Sequence, residues 1–176
     1  LSIASGDKTT RSVINMTQEE LIAKACRTII DKLPRTAFDV QEIQKKFPIN
    51  RENSMNTVLL QEIMRFNKLY YLITKTIEKI LQAQRGDILM TDELNLASEQ
   101  LHRGIVPELW KRISYPSLKP LASYIADFNM RLQMFQKWVS KEKAPEVFWL
   151  SGFFFTQSFL TAILQNFARK YSIEID

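Results

Sequence analysis

The chain has 176 residues, 45% hydrophobic and 11% aromatic, enough to bury a sizeable core and unlike a disordered segment. One cysteine excludes an internal disulfide and a cysteine-built zinc site, and one histidine excludes Ser-His, Cys-His and multi-histidine arrangements. The net charge of +5 comes from 24 basic residues scattered among 19 acidic ones, which reads as a solvated surface and not as a nucleic-acid footprint.

Residues 1–15 are small, polar and aperiodic, a loose lead-in. At Met16 the pattern sharpens. Thr17 and Glu20 have capping-box spacing, Met16 and Leu21 staple spacing, and Leu21, Ile22, Ala25, Ile29 and Leu33 mark a helix face that must stop before Pro34. Asp39 with Glu42, and Phe38 with Ile43, repeat both signals and open a short helix ended by Phe47-Pro48.

The organising stretch is 54–86. Leu59, Ile63, Phe66, Tyr70, Ile73, Ile77 and Ile80 step by four and three, a helical seam that Val58, Leu69 and Leu72 widen toward more than one neighbour. Glu62, Arg65, Lys68, Lys75, Glu78 and Lys79 are expected on its wet side, and Gly86 should close it in the left-handed conformation. Such a strut is about 45 Å long, the span of a whole small domain.

Beyond it, Thr91 caps a helix with Leu94, Ala97 and Leu101 facing inward and Gly104 at its end. Pro107 starts a helical turn holding Leu109 and Trp110, and Pro116 and Pro120 bracket a rigid corner. A second long helix follows, with Leu121, Ile125, Phe128, Leu132, Phe135 and Val139 on one face and Tyr124 and Trp138 beside them; Pro145 stops the charged run that ends it. The last helix is expected over 153–171, burying Phe155, Phe159, Ala162, Ile163 and Phe167. Residues 172–176 alternate like a strand. The fold class is all-α, a helical bundle with two long helices, and 86–104 is the best seam for a domain boundary.

Chemistry is hard to find. No phosphate loop, dinucleotide fingerprint or nucleophile elbow occurs, and His102, beside the helix-ending Gly104, reads as solvated or capping. Asp92 and Glu93 point apart and serve the helix dipole, while Cys26 reads as packing. The longest apolar run, 147–155, is broken by Ser-Gly and too short to span a bilayer. The lone cysteine fits a reducing, intracellular compartment, and a start at Leu1 without a leader is what a piece of a longer protein would show.

What stands out is aromatic crowding. Phe148, Trp149, Phe153, Phe154, Phe155, Phe159 and Phe167 gather at one end, more rings than one helix face can cover. Phe148, Trp149, Phe154, Phe159 and Phe167 are therefore the candidate interdomain interface, set against the plainer reading of a core cluster.

The stretch PEVFWLSGFFFTQSFLTAILQNFARKYSIEID (145–176), with SMNTVLLQEIMRFNKL (54–69), VPELWKRISYPSLKPLASY (106–124) and RLQMFQKW (131–138), resembles a dynein heavy chain near its C-terminal end. Order and approximate spacing agree over 33–176. Two positions depart: a proline is expected where Glu174 stands and a glycine where Ala162 stands. The resemblance implies a lid-like small domain of the last AAA+ module over 16–86 and the helical start of the C-terminal domain over 87–176. It also implies a non-catalytic structural part of a microtubule motor, without a cofactor, whose ATP-hydrolysing loops lie outside this segment. The implied partners are neighbouring AAA+ modules and the remaining C-terminal domain of the same heavy chain, with microtubules met only through distant parts and neither nucleic acid nor membrane involved. The wording of the last helix points to an axonemal heavy chain in a cilium or flagellum. A free-standing helical adaptor binding through the aromatic end is the alternative, and a basic nucleic-acid binder a weaker third.

Overall fold

The computed structural model describes residues 16–50 and 53–174. The lead-in 1–15 lies outside the described residues. Seven α-helices follow one another, and no strand occurs among the described residues: α1 Gln18–Lys32, α2 Val40–Lys46, α3 Ser54–Gln84, α4 Asp92–His102, α5 Glu108–Lys111, α6 Leu121–Lys141 and α7 Thr156–Tyr171, with a 3-10 turn Leu150–Gly152 before the last. The all-α bundle with two long helices is therefore the observed fold.

The helix starts are local chemistry. Thr17 and Glu20 form a complete capping box: the Glu20 N–H donates to Thr17 Oγ1 at 3.2 Å and the Thr17 N–H to Glu20 Oε2 at 2.7 Å. Asp39 caps α2 from one side only. Its Oδ1 accepts from the Glu42 N–H at 3.0 Å, while the Glu42 carboxylate turns along the helix to Lys46, also 3.0 Å away. The expected second box is thus half a box, because an i,i+4 cation competes for the glutamate. Thr17→Ala and Asp39→Ala should each lower the unfolding free energy by about 1 kcal/mol. Denaturant titrations in which both are neutral would show that these caps do not hold the helix starts.

The helix ends obey the same logic. Gly86 has φ +81° and Gly104 φ +69°, and each closes its helix with paired backbone bonds. The Asp87 N–H reaches Gln82 O at 3.0 Å and the Ile105 N–H reaches Gln100 O at 2.9 Å. Both are Schellman closures. The Gly104 carbonyl then accepts from the Leu121 N–H at 2.9 Å, tying the end of α4 to the start of α6 across the proline corner.

The strut organises the rest. Leu59, Ile63, Phe66, Ile73, Ile77 and Ile80 are fully buried, and α3 packs against each of the other six helices. Two side chains on α3 also grip the 34–38 loop. Asn67 accepts from the Phe38 N–H at 3.0 Å and donates to Phe38 O at 2.8 Å, and Tyr70 donates its hydroxyl to Pro34 O at 2.8 Å. Helices before and after Gly86 share one hydrophobic core. Cys26 is buried in it, and burial pushes its thiol up to about 11, which keeps it an inert packing group.

Three expectations about the strut and the last helix are corrected. Glu62, placed on the wet side by charge, is fully buried. The last helix starts at Thr156, because Phe153 and Phe154 belong to an extended approach after the 3-10 turn. Of its expected buried face only Phe159 and Ala162 are buried; Phe155, Ile163 and Phe167 are 51%, 44% and 52% exposed. The described part of the tail, 172–174, is not a strand, and Ser172 turns it with φ +51°.

Candidate functional site

The aromatic end divides into an anchor and a face. In the anchor, Phe153 and Phe159 are buried with ring centroids 4.7 Å apart, and Phe148 lies 4.6 Å from Phe159. Phe153 meets Phe135 of α6 edge-on at 5.5 Å, while Phe154 meets Phe66 of α3 edge-on at 4.6 Å. Four of the crowded rings are thus absorbed by the two long helices. The five candidate interface residues do not come together on one surface. Phe159 is core, Phe148 and Phe154 are half-buried against it, and Trp149 and Phe167 are exposed at separate places.

Glu62 fixes the start of α7. Phe155, at the N-cap, has no capping side chain, and no carboxylate stands in the first turn. Glu62 supplies the missing acceptor from across the bundle. Its carboxylate receives the Phe154 N–H at 2.5 Å and the Phe155 N–H at 3.1 Å, and Arg65 Nη1 lies 3.0 Å away. An anion at a helix N-terminus satisfies orphan donors and complements the dipole. The far end is tied reciprocally. Asn166 of α7 accepts from the Ser54 N–H at 3.0 Å, and Arg169 donates to Ser54 Oγ at 2.8 Å, so α7 caps the start of α3.

Burial raises the Glu62 carboxyl above its ordinary value, against the opposing pull of the two N–H groups and Arg65. A carboxyl raised on folding favours the folded state most when protonated, so its contribution declines as pH rises from 4.5 through the raised value. The stability of wild type relative to Glu62→Gln should therefore fall over that interval. The opposite slope in denaturant titrations would show that the hydrogen bonds outweigh burial.

With both ends pinned, α7 shows one side outward. Leu160, Ile163, Leu164, Phe167 and Tyr171 are 44%, 44%, 54%, 52% and 55% exposed. Their spacing puts them within about 100° of arc on the helix. Phe167 and Tyr171 touch, with ring centroids 4.5 Å apart. Such a stripe normally faces a partner. The sequence reading assigned part of this stripe to the core because a helical period marks a covered face without saying what covers it. Ala162, where glycine was expected, is buried on the other side, within this core.

No group of three or more His, Cys, Asp or Glu side chains that could hold a metal occurs among the described residues. No described helix is long and apolar enough to cross a membrane.

The described residues form an all-α bundle with one shared core and one apolar helix face turned outward. The family profile for the C-terminal domain of dynein heavy chains matches residues 1–176. Dynein axonemal heavy chain 1 of Mus musculus is 48% identical over 165 residues, 94% of this sequence and 4% of that protein. Dynein axonemal heavy chain 3 of Homo sapiens is 47% identical over 158 residues, 90% of this sequence and 4% of its own length. Dynein axonemal heavy chain 12 of Mus musculus is 48% identical over 158 residues, 90% of this sequence and 5% of that protein. The chain belongs to the dynein heavy chain family and corresponds to its C-terminal region. It spans only 4–5% of the length of these relatives.

Proposed function

We propose that this protein is a non-catalytic helical segment of a dynein motor. It fastens neighbouring parts of the heavy chain to one another, helps close the AAA+ ring, and passes ATP-driven rearrangement on toward movement along microtubules. The observation that carries this reading is the outward stripe of α7, held by Glu62 at one end and by the Asn166 and Arg169 contacts to Ser54 at the other. A helix face this apolar and this well fixed is suited to docking. Its occupant is another part of the same heavy chain, an AAA+ module or the rest of the C-terminal domain.

On this reading 16–86 is lid-like and 87–176 begins the C-terminal domain, two parts joined by the common core around α3. The absence of any phosphate-cradling loop from the sequence supports a segment that neither binds ATP nor carries a cofactor, with hydrolysis and microtubule contact left to other parts of the parent. Nucleic acid and membranes are not among its partners. The axonemal relatives support a place in the axoneme of a cilium or flagellum.

The test is Leu164→Gln with Phe167→Gln in the parent heavy chain. Microtubule gliding per ATP hydrolysed should drop while nucleotide binding stays intact. Unchanged gliding would overturn the coupling role, and saturable binding of Mg-ATP to the 176-residue protein alone would overturn the non-catalytic one.

A further inference from the structure

A second surface, away from the α7 stripe, has a chemistry of its own. The C-terminal half of α6 and the 143–149 strap that runs back beside it enclose an open cleft of about 970 Å³. Met134 and Trp138 line it from the helix, and Val147 and Trp149 from the strap. Trp138 is buried, whereas Val147 and Trp149 are 86% and 37% exposed. The recess therefore has an apolar lining that is partly open to water.

Its charge is one-sided. Lys137, Lys141 and Lys143 line the cleft, and none has an acidic partner among the described residues. In the sequence Glu142 dilutes this run. In the fold it does not, because Glu142 takes the left-handed conformation (φ +51°) and its carboxylate lies 3.7 Å from Lys46 of α2. Glu146 is the one carboxylate lining the cleft among the described residues.

The aromatic wall is held in place. The Arg131 guanidinium lies 5.2 Å from the centre of a Trp149 ring, and a Cβ on Gly152 would come within 2.8 Å of that indole. Only glycine at 152 lets the ring lie where it does, so Trp149 is positioned before anything binds.

We propose that this cleft docks an acidic amphipathic polypeptide segment, which sets carboxylates against Lys137, Lys141 and Lys143 and apolar side chains against Met134, Trp138 and Trp149. Lys137 and Lys141 are one helical turn apart, the spacing at which carboxylates repeat along a partner helix. Helix-in-groove docking of this kind takes its affinity from the apolar contacts and its selectivity from the rim charges. A membrane would call for apolar side chains that protrude, whereas these line a recess. A nucleic-acid site would call for cations tracking a backbone over a longer path than three lysines provide.

The experiment is a fluorescence-anisotropy titration of the protein with a labelled helical peptide carrying leucines on one face flanked by glutamates. The same peptide with lysine for glutamate, polyglutamate, phosphatidylserine vesicles and single-stranded DNA are the comparison probes. The acidic amphipathic peptide should bind at least about tenfold tighter than its basic counterpart or polyglutamate, and more weakly as salt rises. Lys137→Glu with Lys141→Glu, both exposed and so compatible with folding, should weaken it about tenfold or more, whereas Lys75→Glu with Lys79→Glu on α3 should not. Gly152→Ala, which displaces Trp149, should weaken it without altering charge. Absence of binding, equal binding of the basic peptide, indifference to the Lys137 and Lys141 changes, or binding of vesicles or DNA in place of the peptide would each overturn the proposal. Its failure would leave the α7 docking reading untouched, since the two surfaces share no residue.

Discussion

Asp127→Ala is expected to cost about 3–5 kcal/mol of unfolding free energy, because it strands a buried guanidinium. Asp127 is 1% exposed, its Oδ2 lies 2.7 Å from Arg131 Nε, and its Oδ1 pairs with Lys119 at 2.5 Å. Arg131 in turn lies 3.8 Å from the centre of the Tyr115 ring, which stacks on Tyr124 at 5.6 Å. The cluster joins the proline corner to α6 and, through Arg131, to Trp149. Burial alone would raise the Asp127 carboxyl; the hydrogen bonds from Lys119 and Arg131 more than offset it and hold the group below its ordinary value of 3.8. Its contribution is therefore present above that value and lost as pH falls through the lower folded one. Asp127→Asn keeps the shape and removes the titration, so the wild-type advantage over it should vanish in acid. Equal stability of wild type and Asp127→Ala at neutral pH would mean that the pair is no more than ornamental to folding.

Phe66→Ala should cost about 3–5 kcal/mol through the cavity it leaves. Phe66 is fully buried and is a hub of rings, with centroids of Phe154, Phe135, Phe128 and Tyr115 at 4.6, 5.1, 6.0 and 6.4 Å. Those partners come from α6, the proline corner and the approach to α7, so the void cannot be filled by moving one element. A loss below about 1 kcal/mol in denaturant titration would mean that the neighbours collapse into the space and that the strut is not the centre of the fold.

What the sequence revealed and what it hid follow from range. The strut, its glycine closure and the caps were legible because each signal lies within a few residues of its partner: Thr17 with Glu20, Thr91 with Leu94, Gly86 with Ala83. Glu62 was misplaced because its partners, the N–H groups of Phe154 and Phe155, lie 92 and 93 residues away. A signal for it did exist. Glu62 falls at helical spacing between Val58 and Leu69, both buried, and α7 begins without a capping side chain of its own. An acid inside an apolar flank and a helix lacking an acceptor are complementary vacancies, visible once both are sought together. Charge alone argued the other way.

The candidate interface residues at the aromatic end, Phe148, Trp149, Phe154, Phe159 and Phe167, do not share one surface. The rings do exceed what α7 covers, but Phe148, Phe153, Phe154 and Phe159 are taken up by α3 and α6. The exposed stripe is chiefly aliphatic, Leu160, Ile163 and Leu164, with Phe167 and Tyr171 at its end. Counting rings drew attention to this end of the sequence. Only the packing showed which side faces out, since a helical period is the same whether its cover is this protein or another.

The central claim is that the α7 stripe is a docking face and not misplaced core, and sedimentation of the 176-residue protein tests it most directly. Wild type should self-associate and bind an apolar dye, whereas Leu164→Gln with Phe167→Gln should sediment as a monomer with unchanged helical content and little loss of stability. A wild-type protein that is a dye-silent monomer, paired with a double variant that unfolds, would contradict the account and return those side chains to the core.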